Sequence, residues 1–143
     1  MIVVLMMFGV GLANAQTTKK IRRAQFTDLP TLSQEFIVKY LPKLTINTIS
    51  VDGNREADVK FTDGTEVEFG RDGYFKEIDN ERGIAFENLQ MLPDQMLSSL
   101  KRDFGAYRIE SVEHGDLFYK VELEGANGKD IEIHYDLNGQ YLY

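Results

Sequence analysis

The chain has 143 residues, a formal net charge of −7 and no cysteine. The absence of cysteine excludes disulfides, thiolate catalysis and Cys-ligated zinc. The acidic balance argues against nucleic acid and anionic membrane surfaces, which select Lys/Arg patches, and is compatible with a basic partner, a cation or plain solubility.

Residues 2–12 are an unbroken apolar or glycine run, too short to span a bilayer. Ala13-Asn14-Ala15 then sets small residues where a signal peptidase reads. The pattern predicts a signal peptide over residues 1–15, cleaved after Ala15, with a mature chain starting at Gln16 in the periplasm or secreted beyond it. No Lys or Arg precedes the run, which a start codon assigned a few residues late would explain. Without a cysteine there is no lipid attachment site, so no stable membrane insertion is expected after cleavage. Residues 1–15 carry no charge, so the remaining 143 − 15 = 128 residues keep the net charge of −7. That length suits one domain.

Residues 16–26 are basic and polar and read as a flexible leader, with room for an edge strand at its end. Thr27 and Asp28 are placed to cap a helix that Pro30 opens in its first turn. Leu29, Leu32, Phe36, Ile37, Tyr40 and Leu41 form its apolar stripe, and Pro42 stops it. The period then changes to two. Strands are predicted over 46–51, 57–61, 66–69 and 74–79, with hairpin signals at Asp52-Gly53-Asn54, Asp63-Gly64 and Asp72-Gly73.

Leu92-Pro93 then restarts the pattern, 93 − 30 = 63 residues after Leu29-Pro30. Met91, Leu92, Met96, Leu97, Leu100 and Phe104 form a second helical stripe, and Gly105 suits a left-handed end. Strands are predicted over 108–112, 118–123, 130–135 and 140–143, and Gly139 follows Gly73 by 66 residues. The expected architecture is α+β, with two tandem repeats over 27–83 and 84–143. Each is a helix packed on a four-stranded antiparallel sheet whose other face is open. About 64 residues is marginal alone, so the repeats are expected to share an interface as one compact unit.

Leu29-Pro30, the Asp63-Gly64 hairpin and the run Glu-Val-Glu-Phe…Asp-Gly-Tyr-Phe-Lys-Glu-Ile-Asp over 66–79 resemble the bacterial exported PepSY-like, β-lactamase-inhibitor-like family. Leu92-Pro93 and Asn138-Gly139 echo the same pattern, so the resemblance covers about residues 26–143. It implies two helix-plus-sheet units whose sheets together present a concave open face. Members generally have a bulky aromatic two residues after the glycine of the Asp-Gly turn, the place of Phe75 here. The resemblance implies a protein partner by analogy, through the restraint of proteases proposed for PepSY domains and the inhibitor in the family's name. It brings no catalytic or ligand residue.

No residue pattern points to catalysis, a metal or a cofactor. Of the two histidines, His114 is expected in a turn with Gly115 and Asp116, and His134 outward between Ile133 and Tyr135. Both read as solvated surface residues, with no nucleophile motif beside them. No metal-binding histidine spacing, calcium-loop series or glycine-rich phosphate loop is present. Alternate carboxylates such as Glu66 and Glu68, or Glu122 and Glu124, read as the solvated face of a sheet.

If Val59, Phe61, Val67 and Phe69 face the helix, alternation sends Asp58, Lys60, Glu66 and Glu68 to the open side. By the same rule Phe118, Lys120, Glu122, Glu132 and His134 face outward in the second unit. Phe75 lies three residues before Ile78, so a regular strand places it on the open face, whereas a bulge returns it to the core. The candidate partner-binding set is therefore Phe75, Phe118, Glu66, Glu68, Lys60, Glu122, Glu132 and His134. The expected function is an exported non-enzymatic module that binds a protein or peptide through its open sheet faces, as an inhibitor or scaffold. The alternatives are a small-molecule or cation-binding envelope protein and a structural component of an envelope assembly. An apolar pocket between the units would favour the small ligand, and an exposed aromatic patch a protein partner.

Overall fold

Alternating apolar and polar residues build one antiparallel sheet in the computed structural model, which describes residues 22–143. Its strands follow chain order: β1 (Arg22–Arg23), β2 (Ile46–Val51), β3 (Ala57–Phe61), β4 (Glu66–Phe69), β5 (Phe75–Asp79), β6 (Arg108–His114), β7 (Phe118–Glu124) and β8 (Asp130–Asp136). Two helices, α1 (Thr31–Tyr40) and α2 (Asp94–Phe104), complete an α+β fold. The signal-peptide expectation lies outside the described residues.

Two four-stranded sheets were expected, and eight strands in one sheet are found. The difference lies at one seam. Strand β5 pairs with β6 through Glu77↔Glu113, Ile78↔Val112 and Asp79↔Ser111, so hydrogen bonding runs on where the sequence suggests a boundary. At the far edge, the strand expected over 140–143 reduces to a single bridge between Tyr135 and Tyr141. His134 N–H still donates to Tyr143 O at 2.7 Å, and Leu142 N–H to His134 O at 2.8 Å.

The core lies on one face. Register aligns Ile49, Val59, Val67, Ile78, Val112, Val121 and Ile133 across seven strands, and all seven are buried. Each such side chain contributes about 1.5–3 kcal/mol of burial, so this row anchors the sheet. Both helices cover that same face. The ring of Phe36 in α1 stands edge-on to Phe69 at 5.3 Å, and Ser99 in α2 shares a 2.9 Å hydrogen bond with the Tyr135 hydroxyl.

Each helix starts against a tight turn. A Cβ on Gly73 (φ +92°) would lie 2.8 Å from Pro30 Cβ, and one on Gly139 (φ +95°) would lie 2.7 Å from Pro93 Cβ. This approach corrects the predicted stripe of α1. Ser33 takes the inward position and donates to Gly73 O at 2.9 Å, while Leu32 is 42% exposed. Two end signals also differ. Thr27 and Asp28 form a short 3-10 turn in which the Asp28 carboxylate accepts from Gln25 N–H at 2.8 Å, and Pro30 occupies the cap position of α1. Gly105 stays right-handed at φ −63°, so the end of α2 does not need glycine for a left-handed turn.

Candidate functional site

The polar residues of β3 to β8 face away from the helices and line up across strands. One row runs Lys60, Glu66, Asp79, Ser111, Glu122, Glu132. The next runs Asp58, Glu68, Glu77, Glu113, Lys120, His134. Glu66 opposes Asp79, Asp58 opposes Glu68, Glu68 opposes Glu77, Glu77 opposes Glu113 and Glu122 opposes Glu132. Like charges directly opposite each other destabilise a sheet, and this face holds these five pairs and a sixth, Glu124 opposite Asp130.

The cost shows in the titration of the central carboxyls. Burial, followed by the charges of Glu66, Glu77, Asp58 and Glu68, pushes Asp79 up to about 6. Burial also raises Glu68, with Asp58, Glu77 and Glu56 adding to it and Lys76 working against it. Partial relief comes from Lys76, 3.3 Å from Glu56 and 3.9 Å from Glu68, and from Lys120, 3.0 Å from Glu113. The Ser111 hydroxyl donates to Glu77 at 2.8 Å. Lower on the same face, Arg108 pairs with both Glu110 and Glu124. A concavity of about 280 Å³ beside it is lined by Glu110, Glu122, Asp130, Ile131 and Glu132.

Lys60, Glu66, Glu68, Glu122 and Glu132 thus share the open face, as alternation predicts, and Phe118 joins them half-buried. Phe75 does not. A register shift between Glu68 and Phe69 sets Phe69 opposite Phe75, so Phe75 shares the helix side with Ile78. There its ring stacks on Phe36 at 5.0 Å. His134 is on the open face yet only 9% exposed, which corrects its reading as a solvated residue. The returning chain end explains this, because Tyr143 covers the imidazole at 4.6 Å while Phe118 meets it edge-on at 4.9 Å. Its Nδ1 is buried without a hydrogen-bond partner, and Nε2 stands 3.6 Å from Glu132.

His114 is also placed differently from expectation. It ends β6, where its ring stacks near Phe75 at 6.3 Å and approaches Tyr119 at 4.8 Å. These rings belong to a cleft of about 400 Å³ on the helix side, formed with Phe36, Tyr40, Tyr74 and Met91 and flanked by Glu35 and Lys39. The sequence reading missed this cleft, because its walls come from α1, β5 and the turn into it, β6, β7 and the segment before α2. It also missed Glu77, Asp79 and Glu113, whose crowding depends on the β5–β6 pairing. Among the described residues no group of three His, Asp or Glu side chains is placed to hold a metal ion, and no helix is long and apolar enough to cross a membrane.

Three solved structures share this fold. A Bacteroides thetaiotaomicron protein described as a "putative calcium-regulated periplasmic protein" superposes with a TM-score of 0.69 at 20% identity, covering 86% of this chain and 94% of its own. A "putative periplasmic protein" from Bacteroides vulgatus gives 0.69 at 21% identity with the same coverage. A second Bacteroides vulgatus protein, described as periplasmic and of unknown function, gives 0.68 at 22%, covering 87% and 97%. Comparison with curated proteins returns no match. Residues 55–142 match the family described as "Putative beta-lactamase-inhibitor-like, PepSY-like". That span takes in strands β3 to β8 and α2, and the chain belongs to this PepSY-like family.

Proposed function

We propose that the chain is an exported, non-enzymatic module that binds a protein or peptide through the open face of its sheet, in an inhibitor-like or scaffold role. The observation that carries this reading is the one-sided covering of the sheet. Both helices pack on the apolar face, while Phe118 and rows of charged residues occupy the other. An aromatic ring among carboxylates on a water-facing sheet fits an interface anchor better than a folding role. Export is supported by the Ala13-Asn14-Ala15 signal and by the periplasmic descriptions of the three structural neighbours. The recurring approach of Gly73 to Pro30 and of Gly139 to Pro93 supports two tandem units, over 27–83 and 84–143, sharing one sheet. The calcium regulation named for one neighbour finds no matching ligand set among the described residues.

Affinity capture from an envelope fraction with the mature protein and with Phe118→Ser tests the reading. A partner that the parent retains and the variant loses, with the melting temperature lowered by no more than about 5 °C, is expected. Equal capture by both proteins contradicts it. The aromatic cleft favours a second reading, a small apolar ligand, which native mass spectrometry of protein recovered from the periplasm would detect as added mass. The same spectrum reports the N-terminus. A species beginning at Gln16 is expected, and one retaining residues 1–15 contradicts export by this signal.

A further inference from the structure

Four carboxylates at the centre of the open face form a rectangle. Glu66 and Glu68 lie two residues apart on β4, Glu77 and Asp79 two apart on β5, and the register pairs Glu66 with Asp79 and Glu68 with Glu77. Strand geometry sets the long side at about 7 Å and the short side at about 5 Å. The pattern continues outward through Asp58 opposite Glu68 and Glu113 opposite Glu77. At the four corners Lys76 stands 3.9 Å from Glu68, Lys60 lies opposite Glu66 and the Ser111 hydroxyl donates to Glu77, while Lys120 pairs with Glu113 beyond them. A sheet face that only needs to be soluble can alternate signs across its strands and gain stability from each pair. This face has opposite charges across strands at Lys60–Glu66 and Glu113–Lys120 but like charges at its centre, and no helix among the described residues covers it.

Resting on the protein-binding reading above, we propose that the occupant of this face is a cationic, extended polypeptide segment, laid along β4 and β5 with alternate Lys or Arg side chains directed at the four carboxylates. An extended chain repeats its same-side residues every ~7 Å, which matches the spacing of Glu66 and Glu68 and of Glu77 and Asp79. A cation placed between opposed carboxylates removes their repulsion, so binding gains from the strain of the free face. Asp79 is raised first by burial and then by the charges of Glu66, Glu77, Asp58 and Glu68, the contribution a cation at this corner would offset. Phe118, two strands beyond β5, offers an apolar contact beside the charged ones. Electrostatic complementarity of this kind sets partner choice and association rate.

The probe is a fluorescein-labelled decapeptide of alternating Lys and Ser, with an alternating Glu and Ser peptide as control. Anisotropy is read at about 20 mM and about 200 mM NaCl, on either side of the ionic strength at which exposed charges are screened. Two triple variants change the net charge equally. Glu68→Gln/Glu77→Gln/Asp79→Asn neutralises three of the rectangle's four corners, and Glu35→Gln/Glu81→Gln/Asp116→Asn neutralises exposed carboxylates elsewhere. The expected result is binding of the Lys peptide alone, weakened at least about tenfold by the first triple and little by the second. The first triple should also melt above the parent; if it fails to fold, Asp79→Asn alone is measured, with a smaller loss expected. Equal weakening by both triples means that the peptide reads only net charge, and overturns the proposal. So does preference for the Glu peptide, no binding of either, or saturable calcium binding that excludes the Lys peptide. The protein-binding reading is decided apart from these outcomes, by the Phe118→Ser capture experiment.

Discussion

Replacing Asp79 with Asn should stabilise the protein, and the gain should depend on pH. Asp79 is half-buried and opposed by Glu66, and its carboxyl titrates at about 6 instead of near 3.8. Between those values the native state holds a proton that the unfolded chain has released, so stability falls as pH rises through about 4 to 6. Above that window the folded protein carries the full cost of the charged form. Converted in full, the displacement is worth ~3 kcal/mol. Water screens a half-exposed carboxyl, so about 1 kcal/mol is expected. Asn keeps the shape and an acceptor oxygen without the charge. Urea unfolding of parent and Asp79→Asn at a series of pH values provides the assay. The variant should match the parent near pH 3.5 and exceed it by about 1 kcal/mol near pH 8. A constant difference, or a variant weaker than the parent near pH 8, refutes the claim that like charges crowd this position.

The two aromatic candidates should separate in a stability measurement. Phe75→Ser, which removes a ring stacked on Phe36, should cost roughly 3 kcal/mol, while Phe118→Ser on the open face should cost about 1 kcal/mol or less; equal losses contradict the assigned faces. Gly139→Ala should cost about 2 kcal/mol or more, since it meets both a positive φ and the Pro93 side chain, and a neutral result in thermal unfolding contradicts that turn geometry.

The local elements were legible because period and punctuation are local. Val59, Phe61, Val67 and Phe69 alternate inward as the sequence indicates, and Pro42 follows the end of α1. What the sequence withheld depends on pairing between distant segments. The β5–β6 junction joins the expected sheets into one and creates the Glu77–Glu113 opposition, which no period within either segment announces. The shift at Glu68/Phe69 turns Phe75 over, because a single extra residue reverses every side chain beyond it. His134 has an outward position by alternation, but its burial comes from Tyr143, nine residues away across a turn. Within the candidate site, Lys60, Glu66, Glu68, Phe118, Glu122 and Glu132 were readable as a face. Their neighbours were not.

On the reading proposed above, a partner docks on the open sheet face and not in the aromatic cleft. Amide and methyl NMR shifts of the mature protein, titrated with the alternating Lys and Ser peptide, test it directly. Shifts are expected at Glu66, Glu68, Glu77, Asp79 and Phe118, with Leu32 and Met91 of the cleft unmoved. Shifts centred on Leu32, Phe36, Tyr74 and Met91, with β4 and β5 unmoved on their open side, would contradict it.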